Sequence, residues 1–514
     1  DGGKNWSHLN PIPVGQFYAI SVDMDKPYNV YGGLQDNGVW WGTSQPGEEL
    51  RPWKSIMGGD GMQVQVDWRD NATVYTGFQF GNYFKVNKNT YPAGMKRLQM
   101  PASDIGEAKL RFNWQAPIVL SRHNQDIVYF GSNKFHRSLD KGETFQTLSE
   151  DLTKGTKEGD VPFGTLTTLD ESPKKFGLLY AGTDDGLVHV SKDGGYTWTK
   201  ISDALPQNLW VSRVVASTHN ESTVLVSLNG YRDDNFKPYL FASADYGQSW
   251  QAIGTDLPLE PINVVREDPK NANILYVGTD NGVYVSLNKG KNFMRISGNL
   301  PAVAVHDLVV HPRDNELVVG THGRSIYVGD ISLIQQLADT LVNKDLHLFA
   351  LKSLNYAPNW GRMFDKYSEP RVQKYEIPFY AKAATKSSIK IQTEKGLTLR
   401  TLNDDSEGGL NFANFDLSID TTAKAEYEKV LNAAKKKDEK EIKLEKADDG
   451  KIYIRAGKYK VVVETAAGTK AEQSFEIKAA ERRPSRRSNA LPANISTPGD
   501  FKEWMEESGL EGKK

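Results

Sequence analysis

Short runs of β-branched and aromatic residues alternate with Gly-, Asp- and Asn-rich turns along the first two thirds of this chain. The alternation repeats as a phrase: a strand ending in Tyr or Leu, a small-residue step, a polar tight turn, then another strand. It begins at Tyr31, Tyr75, Tyr129, Tyr180, Leu225, Tyr276 and Leu317, at spacings of 44, 54, 51, 45, 51 and 41 residues. A period of roughly 40–50 residues built only of strands and turns is that of a β-propeller blade. The pattern predicts an all-β fold, a seven-bladed propeller over residues 1–330 with four antiparallel strands per blade.

A second repeat runs out of phase with the first. Its best copies are Ser191-Lys-Asp193-Gly-Gly195-Tyr-Thr-Trp198 and Ser243-Ala-Asp245-Tyr-Gly247-Gln-Ser-Trp250. Eroded copies carry Asp140 with Phe145 and Asn288 with Phe293. This is the Asp-box pattern S-x-D-x-G-x-x-W, the chemistry of a hairpin turn. The Asp or Asn side chain accepts bonds from turn amides, the Gly supplies a positive φ, and the aromatic ring is buried between blades. Asp140, Asp193, Asp245, Asn288, Trp198 and Trp250 are therefore expected to be structural.

The chain opens on Asp1-Gly-Gly-Lys-Asn-Trp6, the second half of an Asp-box. Further residues are expected before Asp1. The strand Trp6–Leu9 is expected to complete the last blade by pairing with the strand around Ser325–Gly329, which closes the ring and removes its open edges.

After the ring, Ile331, Ile334, Leu337 and Leu341 predict a short helix packed on the propeller. Residues 331–385 read as this helix and an extended, aromatic-rich linker. Strand patterns over 386–478 predict a small Ig-like β-sandwich, interrupted by a Lys/Glu-rich helix near 422–437 that reads as a solvated face. Residues 479–514 read as a basic, disordered tail, with Phe501, Trp504 and Met505 at helical spacing as docking candidates.

Composition narrows the class. Net charge is −2 over 514 residues, so no global field draws in nucleic acid. No apolar run is long enough to make a transmembrane helix. The chain has no cysteine, which excludes disulfides and cysteine-bound metal. The acidic pairs Asp233-Asp234 and Asp404-Asp405 lack the ligand series of a calcium loop. No metal site and no cofactor is expected.

The Asp-boxes resemble those of sortilin/VPS10 and BNR-repeat propellers. The wider chain is similar to large bacterial secreted proteins of the "glycosyl hydrolase, BNR repeat" type. The phrases that carry this are Gly32–Gly38, Gly58-Gly-Asp-Gly61, Arg111-Phe-Asn-Trp114, Gly182–Gly186, Glu267-Asp-Pro269 and Gly320-Thr-His-Gly-Arg-Ser325. The resemblance implies an extracytoplasmic protein, secreted or associated with a bacterial outer membrane, and usually a further propeller N-terminal to this one. In xyloglucanase-like enzymes of this architecture, two carboxylates in a cleft between propellers act as acid and base. Asp60 is then the catalytic candidate, with Asp36 beside it in repeat order.

Equivalent blade turns converge on one end of the axis. Asp184, Asp185, Asp280, His322 and Arg324 occupy such turns, and a ring of them is a candidate site for an extended peptide or glycan. Trp40, Trp41, Trp68, Trp114 and Trp210 read as sugar platforms or blade core. With structural residues saturating the motifs, the sequence leans towards a non-catalytic binding or scaffold protein in a cell-surface complex. The alternative is a glycoside hydrolase.

Overall fold

The computed structural model describes residues 14–45, 53–103, 106–159, 161–296, 299–337, 339–365, 367–435 and 440–479. The chain divides into two compact units, at Thr340/Leu341.

Among the described residues, the first unit holds six four-stranded antiparallel sheets and one three-stranded sheet, in chain order. The first strands of the seven are Phe17–Val22, Val64–Val66, Ile118–Leu120, Leu166–Glu171, Trp210–Ala216, Ile262–Glu267 and Val305–Val310. All seven contribute to the wall of one central channel, so the sheets stand radially, as in a β-propeller. Blades packed face to face cover both sides of their strands. This is why Asn29–Leu34, Leu179–Thr183 and Leu275–Thr279 are buried along their whole length instead of alternating.

The first sheet packs against the seventh. The Ile20 amide donates to Asp307 Oδ2 (3.1 Å), the Tyr28 hydroxyl to Glu316 Oε2 (2.7 Å), and the Arg313 guanidinium to the Met24 and Asp25 carbonyls. Gln16 bridges His322, and the Gly323 amide donates to Gly15 O (2.8 Å). Trp6–Leu9, expected to close the ring, lies outside the described residues.

The Asp-boxes show how neighbouring blades lock. Asp193 Oδ1 accepts from the Ser191 hydroxyl and the Thr197 amide, and Oδ2 from the Thr197 hydroxyl (2.6 Å). Asp140 and Asp245 repeat this, and Asn288 keeps the hydroxyl and amide bonds. The aromatic residue then reaches the preceding blade. Trp198 packs edge-on against Phe135 at 5.1 Å, and Trp250 Nε1 donates to Ile201 O (2.7 Å). The box glycine sits against the same blade. A Cβ on Gly195, which has φ +98°, would lie 2.3 Å from the Phe135 ring.

The expected helix after the ring is two short ones, Ser332–Gln336 and Asp339–Val342. The first is fastened to the propeller by Gln335 Nε2, which donates to Asp268 Oδ2 (2.9 Å).

The second unit is a sandwich. A five-stranded sheet runs in the order Leu354–Asn355, Lys470–Lys478, Gly457–Thr465, Thr385–Thr393, Thr398–Ser406. A three-stranded sheet holds Leu346–Leu348, Tyr375–Ala381 and Gly409–Phe415. Their shared core includes Ile377, Phe379, Ile389, Phe415, Val461 and Val463.

Two expectations need correction here. Residues 346–385 are not a linker. Leu346–Leu348 and Tyr375–Ala381 are strands of the sandwich, and Phe349, Trp360 and Phe379 are buried. Their partners lie far along the chain, so local pattern did not reveal the pairing. Nor is the charged helix, Lys424–Ala434, only a solvated face. Tyr427 is buried, hydrogen-bonds the Tyr459 hydroxyl (2.6 Å) and accepts from the Arg455 amide. The tail candidates Phe501, Trp504 and Met505 lie outside the described residues.

Candidate functional site

At one end of the channel the turns between second and third strands surround a mouth of about 1390 Å³. Asp184, Asp185, Asp280 and His322 line it together. Arg324 shares the His322 turn, where its amide donates to Thr321 Oγ1, but it is not part of the lining.

These side chains do different work. Asp184 is buried. Its Oδ1 accepts the Gly164 and Thr165 amides (3.1 and 2.9 Å), and its Oδ2 the Thr165 hydroxyl (2.6 Å). Burial pushes its carboxyl up to about 6 despite these donors, and the Asp185 charge adds to the rise. Asp185 Oδ2 accepts the Lys154 amide (2.6 Å), and its Oδ1 the Thr183 hydroxyl. The pair thus anchors both ends of the segment from Lys154 to Thr165, part of which lines the mouth. Asp280 is half-exposed and accepts from Asn263 Nδ2 (2.8 Å). Asn263 in turn accepts from Asn229 Nδ2 (2.8 Å), so a row of amides crosses two blades.

His322 stacks on His306 with centroids 4.3 Å apart and an interplanar angle of 14°. Burial lowers both imidazoles, His306 to about 3, so both are neutral at ordinary pH. Buried His322 Nδ1 has no hydrogen-bond partner among the described residues.

Aromatic residues complete the mouth. Trp114 and Trp210 line it with Tyr18, Tyr231 and Phe163. Arg232 lies 4.0 Å over the Trp210 ring and 4.6 Å over Tyr231. The other tryptophans go elsewhere. Trp40 and Trp41 pack into blade interiors. Trp68 lines the channel and donates to Val22 O (2.9 Å). Tyr18, Tyr231, Arg232 and the Asn229–Asn263 pair were not singled out from sequence. The Tyr231-Arg232 turn directly follows a repeat phrase ending Asn229-Gly230, and that position was the available signal.

The catalytic candidates are neighbours. The Asp36 amide donates to Asp60 Oδ1 (2.6 Å), and Gln79 Nε2 to Oδ2 (3.2 Å). Asp36 sits in the turn at φ 60°. Both charges act on the mouth residue Tyr18, whose hydroxyl burial first and then these carboxylates raise. Deeper in the channel, Arg266 pairs with Asp307 (2.8 Å) and Arg122 with Asp170 (3.0 Å), so those charges are internally matched. Among the described residues, no group of three or more His, Asp or Glu is placed to hold a metal ion.

The fold and this mouth define a β-propeller protein with a polar, aromatic-lined axial site. No family model matches the chain. A xyloglucanase from Hypocrea jecorina is 28% identical over 195 residues, which is 37% of this chain and 21% of that protein. The chain thus spans about a fifth of that relative's length. Among solved structures, the GH74 xyloglucanase from Xanthomonas campestris is 16% identical (TM-score 0.48), with 63% of this chain and 53% of that one covered. The GH74 enzyme from Niastella koreensis is 14% identical (TM-score 0.49), with 90% and 73% covered. YCF48 from Cyanidioschyzon merolae, at 10% identity, has a TM-score of 0.45, with 62% and 96% covered. The narrower likeness to sortilin and VPS10 does not follow from these relatives. No helix among the described residues is long and apolar enough to cross a membrane.

Proposed function

We propose that this propeller holds a polysaccharide chain across its mouth and acts as part of an extracytoplasmic glycoside hydrolase of xyloglucanase type. The observation that carries the reading is the convergence of Trp114, Trp210 and Tyr231 with Asp280, Asn263 and Asn229 on one cavity. Sugar rings present apolar C–H faces and a rim of hydroxyls. Aromatic faces take the first, and carboxylates and amides the second. The 28% identity to a xyloglucanase over part of the chain supports the same class.

Asp60 is the carboxylate this propeller would contribute. Asp60 is only partly buried and takes one donor on each oxygen, so a lone pair on each is left for a water that it would activate as general base. The opposing acid would come from chain beyond this propeller. The experiment is reducing-end release from xyloglucan by the intact protein. Asp60→Asn is expected to lower kcat by at least about a hundredfold with binding retained. Trp210→Ala is expected to weaken glycan binding about tenfold, by ~1–2 kcal/mol. Binding without release, unchanged by Asp60→Asn, would reject the hydrolase.

That outcome would leave a second reading, a non-catalytic protein presenting the mouth to a glycan, a peptide or a partner in a cell-surface complex. One observation favours it: Asp184 and Asp185 are occupied by anchoring bonds and are not free for acid–base work.

A further inference from the structure

The connection from the third blade to the fourth runs over residues 148–165, twice the length of the connections 201–209 and 253–261. Its base is clasped. Arg111 Nε donates to Gly164 O (3.0 Å), and Arg111 Nη2 to Asp151 Oδ2 (2.6 Å) and Thr153 Oγ1 (3.1 Å). Lys154 Nζ donates to Asp185 O and Asn208 Oδ1, beside the backbone bonds that Asp184 and Asp185 accept. At the top of this base two glycines meet. Gly155 has φ +104° and Gly164 φ +73°, and a Cβ on Gly164 would lie 2.1 Å from Gly155 O. The chain therefore leaves the base and returns to it at one point, through two residues in a conformation that favours glycine.

What lies between the glycines is held differently. Residues 156–159 and 161–163 all line the mouth. Among the described residues, none of them hydrogen-bonds to the rest of the propeller. Thr156–Gly159, Val161 and Pro162 are exposed, Val161 by 50%, and Phe163 is half-buried. Lys157 Nζ lies over the Phe163 ring at 5.2 Å, a contact within the segment. A stretch with few bonds on a firm base opens and closes at low cost, and its terminal glycines can absorb the φ/ψ change. Its position gives that motion a use. A sugar chain resting on Trp114 and Trp210 leaves its other face to water, and Val161-Pro162-Phe163 is an apolar run able to cover that face.

We infer that the segment between Gly155 and Gly164 is a flap that pivots at these glycines, closes over a glycan held in the mouth and lays Val161, Pro162 and Phe163 on the sugar face turned away from Trp114 and Trp210. This rests on the glycan reading of the mouth and adds how the bound chain is retained. The test is the dissociation rate of a xyloglucan oligosaccharide from the full chain, followed by tryptophan fluorescence. Because the two glycines touch, residues 156–163 can be replaced by Gly-Gly with the base left intact. That variant is expected to keep the Tm of the propeller and to release the oligosaccharide at least about tenfold faster. Val161→Ser, at a half-exposed side chain, is expected to speed release about threefold and serves if the excision variant fails to fold. In the unaltered protein, bound oligosaccharide is expected to slow amide exchange in the segment at least about tenfold while 165–167 stay unchanged. Binding with an unchanged release rate in both variants, or without added protection in the segment, would overturn the flap and leave the glycan reading standing. No binding of the oligosaccharide by the unaltered protein would overturn both.

Discussion

Single side chains in this protein are set against water in two opposite ways, and pH separates them. Asp193 and Asp245 lie in exposed turns where hydroxyl and amide donors hold their carboxyls down at about 2. Asp184 is buried, and its carboxyl is raised from 3.8 to about 6. The Asp-box contribution is present above the unfolded value of 3.8 and is lost as pH falls through about 2. The Asp184 contribution is full below 3.8 and is lost as pH rises through about 6, a cost of about 3 kcal/mol at neutral pH. Asp184→Asn should therefore remove a downward slope of stability between pH 4 and pH 6, which denaturant titration at several pH values measures. A wild-type stability that does not fall across that interval relative to the variant would contradict the assignment. Asp193→Ala should cost about 1 kcal/mol by loss of its turn bonds, read by the same titration.

At the scale of the element, the blade is defined by its partner as much as by its own strands. Each Asp-box aromatic and glycine is seated on the preceding sheet: Phe145 near Leu98, Trp198 on Phe135, Trp250 on Ile201, Phe293 by Ile253. Gly195→Ala combines strain at φ +98° with a clash against Phe135, and should destabilise the propeller by roughly 2 kcal/mol or more. Thermal unfolding would read it as a lower Tm for the first unit. In the sandwich, the charged helix is held by Tyr427. Tyr427→Phe removes the bonds to Tyr459 and Arg455 and should cost about 1–2 kcal/mol. If Tyr427 made no such bonds, the change would be neutral.

For the molecule as a whole, ring closure concentrates on Asp307. Its carboxylate takes the Ile20 amide from the first sheet and pairs with Arg266 (2.8 Å) and Arg213 (3.4 Å). Asp307→Ala leaves Arg213 and Arg266 with carbonyl partners but no carboxylate, and takes the acceptor from an inner-strand amide, and should cost about 3 kcal/mol. Each unit also has its own core, so Phe379→Ala should lower a sandwich transition and leave the propeller transition in place. Calorimetry on both variants would show whether the two changes act on separate transitions.

Repeat spacing and the Asp-box made the propeller legible in the sequence, because both are local. A hairpin's turn chemistry is written in the few residues that form it, and seven copies leave little freedom in how they stack. The sequence also placed Asp184, Asp185, Asp280 and His322 at one end of the axis, since equivalent turns of a ring must converge. It did not separate Arg324 from them, nor show that Asp184 and Asp185 are anchors. Which donors reach a carboxylate depends on the packing of a segment that precedes it by about twenty residues or more. The same limit hid the sandwich strands at 346–348 and 375–381, whose partners lie elsewhere in the chain. It also left open which tryptophans face the mouth. Trp114 and Trp210 read like Trp40 and Trp41 in composition, and only the radial stacking of blades turns one pair into the cavity and packs the other, half-buried, against the blade cores.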